Sequence, residues 1–254
     1  MTPAVGLVVP AYRPDVERLA AYLAEIRERL DPAVIRVELD AATPDVREAL
    51  AAVPATVNAV PYRRGKGAAV TAGFEALETD VLAFADADGS TPAGSLAAVV
   101  DPVVDGTTDL AVGSRRHPEA SVASHQTFAR RFMGDAFAAV ARRLLDVPLY
   151  DYQCGAKAIT AEGWAQVRQH LYEPGFAWDV ELIAIAGAVD LTVREVPIAW
   201  EDHPGSTVSP VRDSVALARA LLRARHRARQ LQDDRLHTAI ASARREPTAL
   251  VDEE

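Results

Sequence analysis

The stretch Val81-Leu82-Ala83-Phe84-Ala85-Asp86-Ala87-Asp88-Gly89-Ser90-Thr91 decides the fold class of this 254-residue chain. Its apolar run predicts a buried strand, which ends in two carboxylates two positions apart. Ligands bind at the carboxyl ends of strands in open α/β sheets. Asp86 and Asp88 at such a point favour a Mg²⁺ or Mn²⁺ ion that bridges them to a nucleotide diphosphate. The alternative is a plain polar turn, because Asp, Gly and Ser are all turn-forming residues.

Segments of alternating type around this stretch predict a mostly parallel sheet with helices on both faces. We expect one domain over residues 1–210, a C-terminal amphipathic helical extension over 211–245, and a disordered tail over 246–254. Strands are predicted at 5–9, 35–39, 56–60, 81–85, 109–113, 156–159 and 191–197. Helices are predicted at 16–30, 45–53, 67–77, 92–100, 128–145, 161–170, 179–188 and 211–231.

Composition narrows the functional classes. The net charge of −9 argues against nucleic-acid binding. Cys154 is the single cysteine, so no intrachain disulfide can form, and we expect a small buried residue rather than a nucleophile. Lys66 and Lys157 are the only lysines, and every other residue of the Lys/Arg class is arginine. Without an evident signal peptide or spanning segment, we expect a cytoplasmic chain that can attach to the cytoplasmic face of a membrane.

Two other strand ends carry groups that suit a nucleoside. Pro10 and Tyr12 follow the first strand and could form a wall for a flat base. Asp40 follows the second strand and could accept a hydrogen bond from a base or ribose. The alternatives are a plain strand-to-helix turn at Tyr12 and an Asx-turn or helix cap at Asp40.

Basic residues mark two further positions. Gly65 and Lys66 precede a helix, where glycine, positive charge and a helix N-terminus together suit an anion. Arg115 and Arg116 follow the fifth strand, with Arg130 on the next helix, and arginine suits bidentate phosphate contacts. The alternatives are a solvated basic loop and ordinary surface charge.

In combination these motifs resemble the family 2 glycosyltransferases of the GT-A fold, and within them the dolichyl-phosphate mannose and glucose synthases. The resemblance covers about residues 4 to 210. The matching segments are Val8-Val9-Pro10-Ala11-Tyr12, Gly65-Lys66-Gly67-Ala68-Ala69, Ala85-Asp86-Ala87-Asp88-Gly89, Val112-Gly113-Ser114-Arg115-Arg116, Asp151-Tyr152-Gln153-Cys154-Gly155-Ala156-Lys157, Trp178-Asp179-Val180-Glu181-Leu182, Glu195-Val196-Pro197-Ile198-Ala199-Trp200 and Gly205-Ser206.

The resemblance implies a Rossmann-like GT-A sheet and inverting transfer of a hexose. The donor would be of the GDP-mannose or UDP-glucose type, the acceptor a polyprenyl (dolichyl) phosphate, and the cofactor Mg²⁺ or Mn²⁺. The metal would lie at Asp86, Asp88 and Ser90, and the nucleotide sugar at Pro10, Tyr12, Asp40, Gly65, Lys66, Asp86 and Asp88. Catalysis would involve Asp88, Asp151, Arg115 and Arg130, and the acceptor side would involve Lys157, Trp178, Asp179, Glu181, His203 and Ser206.

The acceptor decides whether a base is needed. A phosphate monoester is already ionised at neutral pH, whereas a sugar hydroxyl needs a general base, for which Asp151 and Asp179 are the candidates. Departures from the family pattern leave a soluble acceptor, or a degenerate sugar-nucleotide-binding protein, as alternatives. These departures are a single Asp40 in place of two Asp, Arg13-Pro14 in place of Asn-Glu, His203 in place of Arg, and Gly134 in place of Ser.

The predicted terminal helix is amphipathic. Its arginines suit either an anionic membrane surface or a helix packed on its own domain or against a partner chain, with solvated charges. One apolar stripe holds Val211, Val215, Ala218 and Leu222, and beside it lie Leu217, Leu221, Ala224 and Leu231. The basic residues are Arg212, Arg219, Arg223, Arg225, Arg227 and Arg229.

Overall fold

A seven-stranded sheet lies at the centre of the computed structural model, which describes residues 2–123, 128–201, 210–234, 237 and 248–253. The strands are β1 (Val5–Tyr12), β2 (Val34–Asp40), β3 (Thr56–Ala59), β4 (Val81–Ala85), β5 (Leu110–Ser114), β6 (Ser121–Ala123), β7 (Ala156–Thr160), β8 (Val193–Pro197) and β9 (Ala199–Glu201). The helices are α1 (Val16–Leu30), α2 (Pro44–Ala49), α3 (Lys66–Glu75), α4 (Ala93–Val104), α5 (Phe128–Leu144), α6 (Ala161–Val167), α7 (Trp178–Ala188) and α8 (Pro210–Leu231).

The strand order is β3-β2-β1-β4-β7-β5-β8, and only β7 runs antiparallel to its neighbours. This confirms the expected mostly parallel sheet. Because β7 runs the other way, its first residues lie at the carboxyl ends of β4 and β5. Lys157 is in register with Phe84 on one side and Val112 on the other. The polar segment before β7 is therefore brought to the edge of the sheet that carries Asp86.

Helices cover both faces of the sheet and form two apolar cores. One core joins α1 and α4 to the sheet through residues such as Leu23 and Leu96. The other gathers α3, α5, α6, α7 and α8 around Phe74, Trp164 and Trp178. Strand β4 is buried along its whole length, because both of its faces are covered. Because both faces of β4 need apolar side chains, the strand appears in the sequence as a continuous apolar run.

Several predicted boundaries change. The helix expected at 45–53 ends at Ala49, and the helix expected at 92–100 begins after Pro92 and continues to Val104. A small parallel pair of β6 and β9 lies outside the main sheet and was not anticipated, because three-residue strands leave too short an apolar pattern to recognise.

The expectation of a disordered tail over 246–254 is wrong for residues 248–253. Ala249 and Leu250 are buried, and a short 3₁₀ helix covers Leu250–Asp252. The amide of Leu250 donates to the carbonyl of Leu171 at 2.9 Å. The short apolar run Ala249-Leu250-Val251 packs on the core, and the polar residues around it hide that signal in the average composition of the segment.

Helix α8 packs against α7 and α5 over the part whose side chains are described. The buried stripe is Ala220, Leu221, Ala224 and Ala228, whereas Ala218 and Leu222 are exposed. The apolar stripe predicted through Ala218 and Leu222 is therefore not the one that packs; Val211, Val215 and Arg212 lie outside the described side chains. Among the described residues, no helix is both long and apolar enough to cross a bilayer.

Most of the described arginines of α8 have intramolecular partners. Arg223 pairs with Glu173, Arg227 with Glu181, and Arg229 with Asp146, while Arg225 donates to the carbonyl of Leu144. For the part of α8 whose side chains are described, the structure supports packing on its own domain, because four of its basic side chains have intramolecular partners.

Candidate active site

The loop after β4 presents two carboxylates. The amide of Asp86 donates to the carbonyl of Gly155 at 2.9 Å, and the side chain of Asp86 is 41% exposed. Asp88 Oδ1 accepts from the amide of Ser90 at 2.9 Å, and Gly89 between them takes a φ of +69°, which favours glycine. Ser90 is buried, and its backbone amide supports Asp88. That its hydroxyl is a metal ligand stays a prediction.

The donor set at this loop fits a divalent ion. Two carboxylates supply hard oxygen ligands, and bound diphosphate and water usually complete the shell of Mg²⁺. A Cβ added to Gly155 would overlap the carboxylate of Asp86, so the absence of a side chain at 155 makes room for that ligand. Among the described residues, no group of three or more His, Cys, Asp or Glu forms a self-sufficient metal site. The ion would therefore depend on the donor for part of its coordination.

A chain of alternating charges runs from Asp86 into the protein. Lys66 Nζ lies 2.9 Å from Asp86 Oδ1 and 2.9 Å from Asp179 Oδ2. Lys157 Nζ lies 2.6 Å from Asp179 Oδ1 and 2.7 Å from the carbonyl of Cys154. The ring of Phe84 contacts both ammonium groups, at 5.0 Å from Lys66 Nζ and 5.5 Å from Lys157 Nζ. We call these four charged residues, Asp86, Lys66, Asp179 and Lys157, the donor cluster.

The pKa values in the donor cluster follow from burial and charge. Burial alone would lower the pKa of Lys66, but Asp179 and Asp86 hold it above its usual value. Burial alone would raise the pKa of Asp179, yet Lys157 and Lys66 hold it below its usual value. Burial raises the pKa of Asp86, opposed by Lys66 and reinforced by Asp179 and Asp88. Asp86, which contacts one lysine whereas Asp179 contacts two, is thus the carboxylate of the cluster with less positive charge beside it.

A second ion pair follows β5. Arg115 donates from Nε to Asp151 Oδ2 at 2.7 Å and from Nη2 to Asp151 Oδ1 at 3.0 Å. Glu195 accepts from the amides of Tyr150 and Asp151 at 2.8–2.9 Å, which fixes the loop that carries Asp151. Burial alone would raise the pKa of Asp151, but Arg115 holds it well below its usual range. We call Arg115, Asp151 and Glu195 the acceptor cluster.

Both predicted general bases are held in ion pairs. Asp151 is buried and accepts a bidentate pair from Arg115. Asp179 is buried between two lysines. Both carboxylates have lowered pKa values, and a strongly stabilised carboxylate is a weak proton acceptor. In this arrangement neither carboxylate is free to take a proton from a hydroxyl acceptor, and Asp151 holds Arg115; a role as general base stays a prediction for both.

The other predicted phosphate ligands are only partly described. Arg116 pairs with Asp135, and its guanidinium occupies the space that a side chain at Gly134 would need. The side chain of Arg130 lies outside the described part of α5, and its contact with phosphate stays a prediction. His203 and Ser206 also lie outside the described residues.

The predicted nucleoside end is organised by a buried ion cluster. Asp40 Oδ2 accepts from the amides of Arg64 and Gly65 at 2.8 and 2.9 Å, and Oδ1 accepts from Arg64 Nε at 2.8 Å. Arg64 also pairs with the buried Glu38 at 2.8 Å. Asp40 therefore holds the segment before α3 through contacts 24–25 residues away, and these contacts are neither the Asx-turn nor the helix cap of the local alternative. Its contact with a nucleoside stays a prediction.

The aromatic wall at Tyr12 faces arginine. The guanidinium carbon of Arg63 lies 4.3 Å from the centre of the Tyr12 ring, and that of Arg13 lies 5.2 Å away. Pro10 is the strand residue two positions before Tyr12 and pairs in register with Glu38. A cation over an aromatic face contributes about 0.5–1 kcal/mol at exposed sites. A base stacking on Tyr12 would have to share or displace this contact.

Two predicted acceptor residues face inward instead. Trp178 is fully buried and donates from Nε1 to Thr71 Oγ1 at 3.1 Å. Glu181 is also buried; it pairs with Arg227 and accepts from the amides of Tyr172 and Glu173 at 2.8 Å. Both side chains are covered by apolar or ionic partners, and Glu181 holds the backbone of the Tyr172–Glu173 segment; their part in the acceptor side stays a prediction. Lys157 and Asp179 belong to the donor cluster.

The segment held by Glu181 packs on the start of α3. A side chain at Gly65 would collide with the carbonyl of Pro174, and one at Gly67 would collide with the carbonyl of Glu173. Gly65 also has a φ of +102°, a conformation that favours glycine. Both glycines therefore allow the close approach that places Lys66 beside Asp179.

Three supporting residues were not identified from sequence: Arg64, Glu195 and Gly155. Arg64 and Glu195 bind partners distant in the chain, so no local pattern shows these contacts, although Glu195 lies in a matching motif. Gly155 has a clearer signal, because it lies in a matching motif, and glycine in a strand-edge position often marks a close approach.

Comparison with known proteins identifies the family. Residues 7–151 match the model for glycosyl transferase family 2. The chain is 30% identical over 229 residues to glycosyltransferase AglD of Haloferax volcanii, covering 86% of this chain and 36% of that protein. It is 31% identical over 168 residues to dolichyl-phosphate beta-glucosyltransferase of Mus musculus, covering 63% of this chain and 51% of that protein. The chain thus spans between about a third and a half of these relatives.

Solved structures share the fold at low identity. Glucosyl-3-phosphoglycerate synthase of Mycobacterium tuberculosis, solved with Mn²⁺, UDP-glucose and phosphoglyceric acid, has a TM-score of 0.69 at 18% identity, covering 88% of this chain and 80% of that chain. Mannosyl-3-phosphoglycerate synthase of Rubrobacter xylanophilus has a TM-score of 0.67 at 18% identity, covering 96% and 78%. The fold is the expected GT-A fold, and the chain belongs to glycosyl transferase family 2.

Proposed function

We propose that this chain is an inverting, metal-dependent glycosyltransferase that moves a hexose from a nucleotide-diphosphate sugar to the phosphate of a polyprenyl lipid. The observation that carries the proposal is the acceptor cluster. Arg115 is fixed by a bidentate pair with Asp151 and its side chain remains 24% exposed. An oriented, partly exposed guanidinium suits a phosphate.

The state of the carboxylates supports the same acceptor. A hydroxyl acceptor needs a base, and both candidate bases, Asp151 and Asp179, are stabilised in their ionised form by buried cations. A phosphate monoester needs none, because it is already ionised at neutral pH. The names of the relatives, which include dolichyl-phosphate beta-glucosyltransferases, favour glucose as the transferred sugar and dolichyl phosphate as acceptor.

The reaction can be assigned to residues of this chain. Asp86 and Asp88 would hold Mg²⁺ or Mn²⁺, which would supply neutralisation of the charge that develops on the leaving diphosphate. Lys66 adds a fixed positive charge beside Asp86, and Arg115 orients the acceptor phosphate. An acceptor oxygen forms the new bond to the anomeric carbon while the bond from that carbon to the diphosphate oxygen breaks. This single in-line displacement inverts the anomeric centre, and alignment and charge stabilisation supply the catalysis.

A soluble phosphorylated acceptor is the second candidate. The phosphoglycerate-binding synthase that shares this fold motivates it, and Arg115 would serve such an acceptor equally well. For the lipid acceptor, we infer peripheral attachment to an anionic membrane surface at the cytoplasmic face. Exposed Leu222 and Arg219 on α8 are compatible with that attachment.

The test is transfer of labelled sugar from GDP-mannose, UDP-glucose and related donors to dolichyl phosphate. Parallel reactions contain 3-phosphoglycerate, and each is run with Mg²⁺, Mn²⁺ or EDTA. Metal-dependent label in the lipid phase is the expected result. Label in the soluble acceptor alone would replace the lipid assignment, and no transfer with any donor would favour a degenerate sugar-nucleotide-binding protein.

A further inference from the structure

The two lysines of this chain lie side by side in the structure. Only two lysines occur among the 27 residues of the Lys/Arg class, and both bind the same buried carboxylate. Lys66 lies on Asp179 Oδ2 and Lys157 on Asp179 Oδ1, at 2.9 and 2.6 Å. The two lysines are therefore neighbours in space, although Lys66 lies on α3 and Lys157 on β7.

The geometry explains why an ammonium suits both positions. Lysine provides a compact charge with three donors, whereas arginine provides a planar fork. Lys157 is 1% exposed, so its ammonium must fit between Asp179, the carbonyl of Cys154 and the ring of Phe84. A larger guanidinium would overfill that enclosed space.

The two lysines differ in what they reach. Lys66 contacts Asp86, the exposed carboxylate at the donor end, and two of its three N–H groups are directed to Asp86 and Asp179. Lys157 contacts Asp179, the carbonyl of Cys154 and the ring of Phe84. Asp179 thus attracts Lys66 from one side while Lys157 neutralises it from the other.

We propose that Lys157 is a positioning residue of the donor site: by neutralising Asp179, it lets Lys66 remain shared with Asp86 and face the donor diphosphate. This inference rests on the proposed use of a nucleotide-diphosphate sugar. Without the charge of Lys157, Asp179 would be left with one cation, and Lys66 would move toward it and away from Asp86. Residues that orient a ligand group from behind commonly affect affinity by about 10–100-fold.

The experiment measures binding of UDP and GDP by calorimetry, with Mn²⁺, to the full chain and its variants. We expect Lys157→Met to weaken binding of the preferred nucleotide about tenfold. The double variant Lys157→Met/Asp179→Asn removes one positive and one negative charge, so it should bind within about threefold of the original chain. Arg168→Met is the matched control, because it removes a cation that pairs with Glu75, and its affinity should be unchanged.

Kinetics separate positioning from a general loss of structure. We expect the KM for the donor to rise in Lys157→Met while the KM for the acceptor is unchanged. Unchanged donor affinity in a folded Lys157→Met variant would overturn the inference, as would a double variant no better than the single one. If the single variant does not fold, the double variant decides: a loss beyond about tenfold overturns the inference. Failure of the original chain to bind either nucleotide would overturn the proposed function as well.

Discussion

The donor and acceptor clusters are both networks of ion pairs with a buried side, but the charge that each one exposes has the opposite sign. In the donor cluster the carboxylate of Asp86 is 41% exposed and Lys66 behind it is 8% exposed. In the acceptor cluster the guanidinium of Arg115 is 24% exposed and Asp151 behind it is 2% exposed. Each cluster keeps one partner inside and presents the other to its ligand. The exposed charge therefore suits a metal ion in the first cluster and a phosphate in the second.

The cations of the two clusters also differ in kind. Ammonium groups let one carboxylate be shared, since Asp179 binds two lysines and Lys66 binds two carboxylates. The guanidinium of Arg115 instead forms a fixed fork on one carboxylate. A shared point charge can adjust when a metal–diphosphate arrives, whereas a fork holds one direction. The clusters thus combine an adaptable donor end with a rigid acceptor end.

Asp88→Ala tests the exposed negative charge and should have the largest effect. Removing one of the two carboxylate ligands should lower sugar transfer by at least about a thousandfold, measured with saturating donor and Mn²⁺. Thermal unfolding should be nearly unchanged, because the described contact of the Asp88 side chain is a single backbone hydrogen bond. Asp146→Ala, which breaks an exposed pair with Arg229, is the control. Retained turnover in Asp88→Ala would disprove the metal assignment.

Arg227→Met tests the support behind the donor cluster. It leaves Glu181 buried without its cation and should lower the free energy of unfolding by about 3 kcal/mol, measured by urea unfolding at pH 7. Burial already raises the pKa of Glu181, while Arg227 opposes that rise. The variant should raise it further.

The pH dependence of that variant has a definite sign. A carboxyl whose pKa is raised on folding costs stability at pH values above its unfolded value, and the cost disappears once both states are protonated. The penalty of Arg227→Met should therefore shrink as the pH falls from 7 toward and below the unfolded pKa of glutamate. A penalty that stays constant over this range would mean that the ion pair with Glu181 is not its cause.

Arg115→Lys tests whether the acceptor end needs a fork. Lysine keeps the positive charge and some neutralisation of Asp151 but loses the bidentate pair, so kcat/KM for the acceptor should fall about thirtyfold. The dissociation constant of the nucleotide, measured by calorimetry, should stay the same. An equal loss in nucleotide affinity would show that Arg115 serves the donor instead.

Glu195 offers the smallest and most specific test. Glu195→Ala removes the acceptor of two backbone amides that fix Asp151, so acceptor kcat/KM should fall about tenfold. Glu195→Gln retains one acceptor oxygen and should lose less. If both variants lose activity equally, the charge of Glu195 rather than its hydrogen bonds holds the loop.

The sequence was informative wherever function follows from strand ends. Asp86, Asp88, Lys66 and Arg115 were singled out because they follow apolar strands or precede a helix, and the topology brings such positions to one edge. The mostly parallel sheet, confirmed by pairs such as β1 with β2 and β4, was predicted from the same alternation of strands and helices. Local patterns identify these positions well.

Partners distant in the chain were not predictable in this way. Nothing local shows that Lys157 turns toward Asp179, that Glu181 binds Arg227, or that β7 runs antiparallel. These features depend on which side chains meet after the sheet has formed. The resemblance places Trp178, Asp179 and Glu181 together on the acceptor side as one matching segment, whereas neighbouring residues of a helix point in different directions.

The contact between Gly155 and Asp86 has a consequence for genetic variation. Any side chain at position 155 would collide with the carboxylate of Asp86, and the backbone there also holds the amide of Asp86. In a library of substitutions scored for growth or activity, position 155 should therefore show the intolerance of Asp86 itself, including to alanine. A substitution at a residue with no functional group would thus act by displacing the carboxylate of Asp86.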